Sequence, residues 1–300
     1  MAERATLPLR AAPPAPDPRG VGPRIRSMTP DLTPLEARVV DLALGRAAFG
    51  PETQLADLAA AAGVSEAMVV KLAKKLGFAG YRAFRAAVAA YNRLPIVELH
   101  KELSPEDDAA AIVGKVFRTA IQALEETLAI LDPAAVARAA ALIHGARTRD
   151  FYGVGGSAQI ARDAAHKFLR IGVRASVQDD PHMMLMSAAL LGPGDVALAL
   201  SHSGETEAVL EAAALARDNG AAVIAVTNYA ASTLARRSDL ALCSTAQGSP
   251  LTGENAAARI AQLNILDAVF VAVAQRDYAS AEASLERTMR AVQSKRKPRP

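Results

Sequence analysis

Five short apolar runs dominate the second half of the chain, and they leave few folds open. They are Asp150–Val154, Val173–Gln178, Asp195–Leu200, Ala222–Thr227 and Asp239–Cys243. Each has the length of a strand, and helical segments of roughly 10–16 residues separate most of them. Strands alternating with helices make βαβ units, which assemble into a parallel sheet with helices on both faces. The expectation is an α/β domain with a five-stranded parallel sheet. In the doubly wound order 2-1-3-4-5, strands 1 and 3 flank the point where ligands bind.

The first third has a different period. Residues 33–92 read as all-helical. Thr33-Pro34-Leu35-Glu36 places an N-cap Thr, a Pro at the first helical position and a Glu at the third. Leu35, Val39, Leu42 and Ala43 then recur at helical spacing. The 300 residues therefore divide into two domains. The boundaries read as a Pro/Arg-rich disordered tail over 1–30, a helical domain over 31–92, a linker over 93–114, the α/β domain over 115–284 and a basic tail over 285–300. Two Ala-rich helical stretches, about 109–130 and 133–145, lead into the first strand, and a last helix is expected over roughly 254–275.

Composition narrows the class. Aromatics are 4% and Trp is absent, so Ala, Leu, Val and Ile must build the cores. One cysteine, Cys243, excludes a disulfide framework and a multi-cysteine metal cluster, and reads as a small buried hydrophobe. No apolar run reaches ~18 residues without a charge, and no compact apolar block opens the chain. A cytoplasmic protein with no membrane partner, no metal and no cofactor is expected. The net charge of +3 is uneven. Residues 64–92 carry five basic groups and one acidic, whereas 31–63 carry two basic and five acidic. With +3 on residues 1–30 and +5 on 285–300 against −3 on 115–284, the basic ends and acidic middle fit a polyanion partner for one end only.

The basic stretch contains a motif. In QLADLAAAAGVSEAMVVKLAKKLG (Gln54 to Gly77), Leu55, Leu58, Ala59 and Ala62 share one helical face. Gly63 breaks that helix where a positive φ is needed, and Ser65 is placed to cap the next. The second helix buries Val69, Leu72 and Leu76. A small residue, then Gly, then apolar residues at these offsets is the helix-turn-helix pattern. Gln54, Ser65, Glu66, Met68, Lys71, Lys74 and Lys75 are the candidate contacts to double-stranded DNA. Phe78, Tyr81 and Phe84 read as a core anchor.

The α/β half offers two loops. Gly153-Val154-Gly155-Gly156-Ser157-Ala158 follows the first strand, and Ser201-His202-Ser203-Gly204-Glu205-Thr206 follows the third. Each opens a helix, whose N-terminal amides and dipole attract an anion. Two hydroxyl-rich loops facing one crevice suit a phosphate monoester with a sugar beyond it. Gly153-x-Gly155-x-x-Ala158 also fits a dinucleotide fingerprint, with Asp179 or Asp180 as the ribose acid. That reading leaves Ser201, Ser203 and Thr206 without a role. Met183, Met184 and Met186 read mainly as core or subunit contacts.

Together the two halves resemble the RpiR/MurR family of bacterial transcription regulators over about residues 31–280. The carriers are ADLAAAAGVSEAMVVKLAKKLGFAGYRAFR, FYGVGGSA, ALSHSGET, AVTN and ARIAQLNILDAVF. The resemblance implies a C-terminal sugar isomerase (SIS) domain that senses a phosphosugar, held by Gly155, Gly156, Ser157, Ser201, His202, Ser203, Thr206 and Glu254. Met68 and Lys71 stand where the family pattern usually has Thr and Arg, so the operator sequence does not carry over. Such domains also serve as isomerases and lyases, for which Glu254 would be the base and His166, His182 or His202 a ring-opening group. Fusion to a DNA-binding module favours a sensor over an enzyme. A dimer or tetramer on a palindromic operator is expected, because helix-turn-helix proteins commonly bind as dimers.

Overall fold

The computed structural model describes residues 17–45, 49–95, 103–246 and 256–293. The N-terminal domain is helical: α1 (Val21–Ser27), α2 (Pro34–Leu44), α3 (Leu55–Ala62), α4 (Glu66–Lys75) and α5 (Tyr81–Asn92). The capping box is formed, with Thr33 Oγ1 accepting from the Glu36 amide and Glu36 Oε2 accepting from the Thr33 amide at 2.9 Å. Val39, Leu58, Ala62, Val69, Leu72, Phe84 and Val88 make the core. Phe84 is packed edge-on by Phe49 and Phe78. Each large aliphatic side chain buried here contributes about 1.5–3 kcal/mol.

The proline-rich start departs from expectation. Residues 18–31 form two short 3-10 turns on either side of α1, and Ile25 is buried. Pro18, Pro23 and Pro30 all lie within the first three residues of their helical segments. The amide that proline lacks would be unbonded in a first turn anyway, so proline starts these helices instead of breaking them. Gly22 lets α1 lie on α5: a Cβ there would stand 2.3 Å from the Tyr91 ring.

α6 (Ala109–Ile130) begins inside the stretch read as linker, because Asp108 caps it by accepting from the Ala111 amide at 2.7 Å. α7 (Pro133–Gly145) follows, and then the sheet. Its strands are β1 (Arg149–Tyr152), β2 (Ser176–Gln178), β3 (Val196–Leu200), β4 (Ala222–Thr227) and β5 (Leu240–Cys243). All pairs are parallel, in the expected order β2-β1-β3-β4-β5. The crossovers carry α8 (Gly156–Arg170), α9 (Pro181–Ala188), α10 (Glu207–Asp218) and α11 (Thr233–Arg237). α12 (Ala256–Arg276) and α13 (Tyr278–Gln293) close the domain. The basic tail expected from 285 continues α13 as helix to Gln293, and α13 buries Ala281 and Ser284 just before it.

The continuous apolar strands hide an alternation. Val196, Leu198, Leu200, Ile224 and Val226 face one core, with Ile160, Phe168, Ile265 and Val269. Ala197, Ala199, Val223 and Ala225 face the other, with Val209, Ala212 and Ala216 of α10. Alanine on both sides of that second layer lets α10 approach the sheet closely. α12 is long and apolar enough to cross a membrane by length and hydropathy. Its Ala258, Ala261, Ile265, Val269 and Val273 are instead buried within the domain.

The two domains meet through α1. Arg26 pairs with Glu126 of α6, whose side chain is 1% exposed. The Tyr91 hydroxyl donates to Glu126 Oε1 at 2.5 Å, and Gln122 Nε2 donates to the same oxygen at 2.9 Å. Burial works against the charge on Arg26, but Glu126 and Tyr91 outweigh it and hold the guanidinium above its ordinary pKa. Two further ties reach the segment after β4: the Ala231 amide of the loop donates to Ser27 O at 3.1 Å, and Arg236 of α11 pairs with Asp31 at 2.6 Å.

Candidate functional site

The helix-turn-helix geometry follows the sequence closely. Gly63 ends α3 with φ 67°, a left-handed conformation that costs other residues about 1–2 kcal/mol. Ser65 Oγ caps α4 by accepting from the Met68 amide at 3.3 Å. Gln54, Ser65, Glu66, Lys71 and Lys74 are exposed, and Met68 is half-buried beside them. Lys75 does not join this face. Its Nζ donates to Glu36 Oε2 at 2.8 Å and to Asp31 O at 2.6 Å. That hydrogen bond, with those from Thr33, holds the Glu36 carboxyl below its ordinary pKa. Lys75 therefore belongs to the framework, tying the end of α4 to the start of α2. Helical spacing sets Lys75 four residues after Lys71 but cannot show the capping box that draws it away.

The second site lies at the C-terminal ends of β1 and β3. A cavity of about 220 Å³ is lined by Val154, Gly156, Ser157, His202, Ser203 and Thr206, with Arg259 and Gln262 from α12. The two loops reach it by different means. The first is shaped by glycines: Gly155 has φ 58°, and a Cβ on Gly153 would stand 3.0 Å from the Ser157 backbone. The second is shaped by hydroxyls. Ser201 Oγ lies 2.9 Å from Thr206 Oγ1 and accepts from the Gly204 amide at 3.0 Å. Ser203 Oγ accepts from the Glu205 amide at 3.2 Å. Neither α8 nor α10 has a side-chain cap hydrogen bond at its start. Two helix N-termini thus converge on one cavity beside a guanidinium, an arrangement suited to an anion.

The expected set divides accordingly. Gly156, Ser157, His202, Ser203 and Thr206 line the cavity. Ser201 is 2% exposed and does not line it, so its hydroxyl braces the loop. Gly155 supplies the turn. Glu254 lies outside the described residues. Sequence reasoning missed Arg259 and Gln262, though both stand in the ARIAQLNILDAVF segment. Among the described residues, Arg259 is the only charged side chain on the cavity wall. Its Cδ passes 3.8 Å from where a Cβ of Gly156 would be. Gln262 is buried and donates to Ser244 Oγ at 3.4 Å. The other histidines lie apart: neither His166 nor His182 lines this cavity.

A buried chain below the site is structural. Ser187 of α9 bonds to Asp150, and the Tyr152 and Ser187 hydroxyls are 3.3 Å apart. Burial raises the pKa of Asp150 and pushes Tyr152 up to about 12. Burial likewise pushes the Cys243 thiol up to about 11. Of the methionines, Met184 is fully buried, while Met183 and Met186 are 48% and 64% exposed. Asp179 pairs with Arg162 rather than standing free for a ribose.

Known proteins share both halves. The model of the helix-turn-helix domain of the rpiR family matches residues 19–93, and that of the SIS domain matches residues 142–272. The HTH-type transcriptional regulator RpiR of Escherichia coli K12 is 41% identical over 273 residues, 90% of this chain and 92% of its own. The Vibrio vulnificus NanR protein, solved in complex with ManNAc-6P, is 29% identical with a TM-score of 0.59. That match covers 92% of this chain and 99% of NanR. The sugar isomerase domain of an RpiR transcription factor from Sphaerobacter thermophilus, 24% identical, shares the fold with a TM-score of 0.55, over 59% of this chain and 97% of that domain.

Proposed function

Because this chain belongs to the RpiR family of helix-turn-helix transcriptional regulators, we propose that its DNA affinity is set by a phosphorylated sugar held in the cavity between the β1 and β3 loops. The observation that carries this reading is the meeting of two uncapped helix N-termini, the Ser157, Ser203 and Thr206 hydroxyls and Arg259 around one space. The phosphate would accept from the amides and hydroxyls, and Arg259 would offset its charge. Hydrogen bonds to a charged acceptor contribute about 1.5–3 kcal/mol each. The relative NanR was solved with a phosphosugar, which supports the ligand class.

In this reading α4 enters the major groove. Lys71 and Lys74 meet phosphates or base edges, and Met68 with Gln54, Ser65 and Glu66 contacts the bases. The chain acts in the cytoplasm, where its operator and effector are.

The contacts across the domain boundary offer a route for control. His202 O accepts from the Asn228 amide at 3.0 Å and from Thr227 Oγ1 at 3.1 Å. Glu205 Oε1 accepts from the Thr233 amide at 2.7 Å. The segment that includes Asn228 and Thr233 also bonds Ser27 and Asp31 of the DNA-binding half. A ligand that moves residues 202–205 would load that segment directly. A dimer would present two recognition helices to a palindrome. The exposed Val113, Phe117 and Leu128 of α6 are the surface for it.

The ligand is bound and not turned over. A thermal-shift screen of phosphorylated sugars, with chromatography of each mixture, tests both parts. A ligand present at 100 times its Kd stabilises by about 2.7 kcal/mol. A stabilising phosphosugar recovered unchanged is the expected result. Isomerisation or cleavage would make the domain an enzyme, and no shift with any phosphosugar would remove the effector.

A further inference from the structure

We propose that the C-terminal domain carries a second ligand site, for an organic phosphate, at the end of the sheet opposite the crevice. A cavity of about 550 Å³ opens there beside the first residues of β1 and β2 and the second half of α8. That volume lies within the roughly 300–1,000 Å³ usual for small-molecule sites. Arg147, Arg149, Arg174 and His166 line it, and among the described residues no carboxylate does.

Each guanidinium keeps donors to spare, though Arg147 is ion-paired with Asp195. Arg147 NH2 donates to Pro193 O at 2.8 Å and Asp195 Oδ2 at 3.2 Å, which leaves its other face to the cavity. Arg149 Nε and NH2 donate to the Ile143 and His144 carbonyls at the end of α7, fixing the guanidinium in place. Arg174 is exposed and has no hydrogen-bonded or ion-paired partner among the described residues. Three guanidinium groups around one cavity repel one another, and burial already works against the charge on Arg149. An anion relieves both effects, and guanidinium forks fit phosphate oxygens with two parallel bonds.

The apolar part of the lining argues for an organic anion. Ala165 and Leu169 of α8 form it, and Leu169 is 50% exposed. A phosphate on the arginines would place an attached ring or chain against that apolar strip. DNA is a poorer fit, because the basic groups line a concavity instead of crowning a ridge. The site is separate from the phosphosugar cavity but shares elements with it: α8 starts at Gly156 and ends at Arg170, and β1 runs from Arg149 towards Gly153.

Calorimetry of the full chain with pyrophosphate and with ADP as probes tests the proposal. Both should bind, ADP at least tenfold more tightly because its nucleoside covers Leu169. Arg174→Glu should weaken both by at least tenfold, the loss of one charged contact. Leu169→Ser should weaken ADP alone. Ser203→Ala, in the other cavity, should change neither. Absence of binding, indifference to Arg174→Glu, or loss on Ser203→Ala would overturn the site. Equal affinity for the two probes would overturn its organic character. A lower salt dependence of DNA binding in Arg174→Glu, with neither probe bound, would make the wall a DNA contact and defeat the proposal.

Discussion

In the proposed reading the recognition helix and the crevice both meet phosphate, by opposite physical means. On α4 the charge rides on Lys71 and Lys74, exposed side chains with many rotamers. In the crevice the donors are backbone amides and short hydroxyls, fixed by glycine conformations and by one another. The first arrangement acts at a distance, tolerates displacement and is screened by salt. The second acts only in contact and loses most of its strength when shifted by an ångström. A regulator needs both: one surface that slides along a polyanion, and one that distinguishes a single small phosphate. The junction between them is of a third kind, a buried charge cluster with unpaired polar atoms at Arg26 Nε and Gln122 Oε1 among the described residues.

The sharpest way to break the comparison is at that junction. Arg26→Ala leaves Glu126 buried and uncompensated, which should cost about 3–5 kcal/mol. Chemical denaturation should show the loss, and the two domains should then melt in separate transitions. A single transition at wild-type stability would mean that the cluster does not hold the domains together.

Next comes the rigidity of the crevice. Gly204 has φ 68°, and a Cβ on it would stand 2.2 Å from Ser232 Oγ. Gly204→Ala should therefore cost about 3 kcal/mol, the sum of a left-handed conformation and overpacking. Phosphosugar affinity should fall with it, whereas DNA affinity without ligand should not.

The smallest effects separate the lysines. Lys71→Ala with Lys74→Ala should weaken binding to all DNA sequences and flatten the slope of log K against log salt by about two units. Lys75→Ala should leave that slope unchanged and destabilise the fold by at most ~1 kcal/mol, the value of a partly exposed pair. Glu36 has its pKa depressed by this contact. Its stabilisation is present above the ordinary carboxylate value, near 4.3, and is lost as pH falls through the depressed folded value. The difference between wild type and Lys75→Ala, followed by denaturation from pH 7 downwards, should shrink as pH falls below the ordinary carboxylate range. An unchanged difference would exclude the pair as its source.

What the sequence disclosed follows from how local each feature is. The capping box at Thr33, the turn at Gly63, the cap at Ser65 and the five strands depend on neighbours a few residues away, so their signals survive in one dimension. Lys75, Ser201 and Arg259 were misplaced or missed because long-range packing decides them. Glu36 is 39 residues from Lys75. Arg259 meets the crevice only because α12 packs across α8. The helix in residues 21–27 is hidden in the sequence because its prolines read as breakers, whereas they begin helical turns.

The central claim is that occupancy of the crevice controls the DNA-binding half. It is tested most directly by measuring operator affinity, with and without a saturating stabilising phosphosugar, for wild type and Ser203→Ala. The wild type should change its affinity by at least tenfold. Ser203→Ala should bind DNA like wild type without ligand and, in a titration, need roughly 10- to 100-fold more phosphosugar for the same response. Equal responses from the two proteins would place the effector elsewhere and contradict the claim.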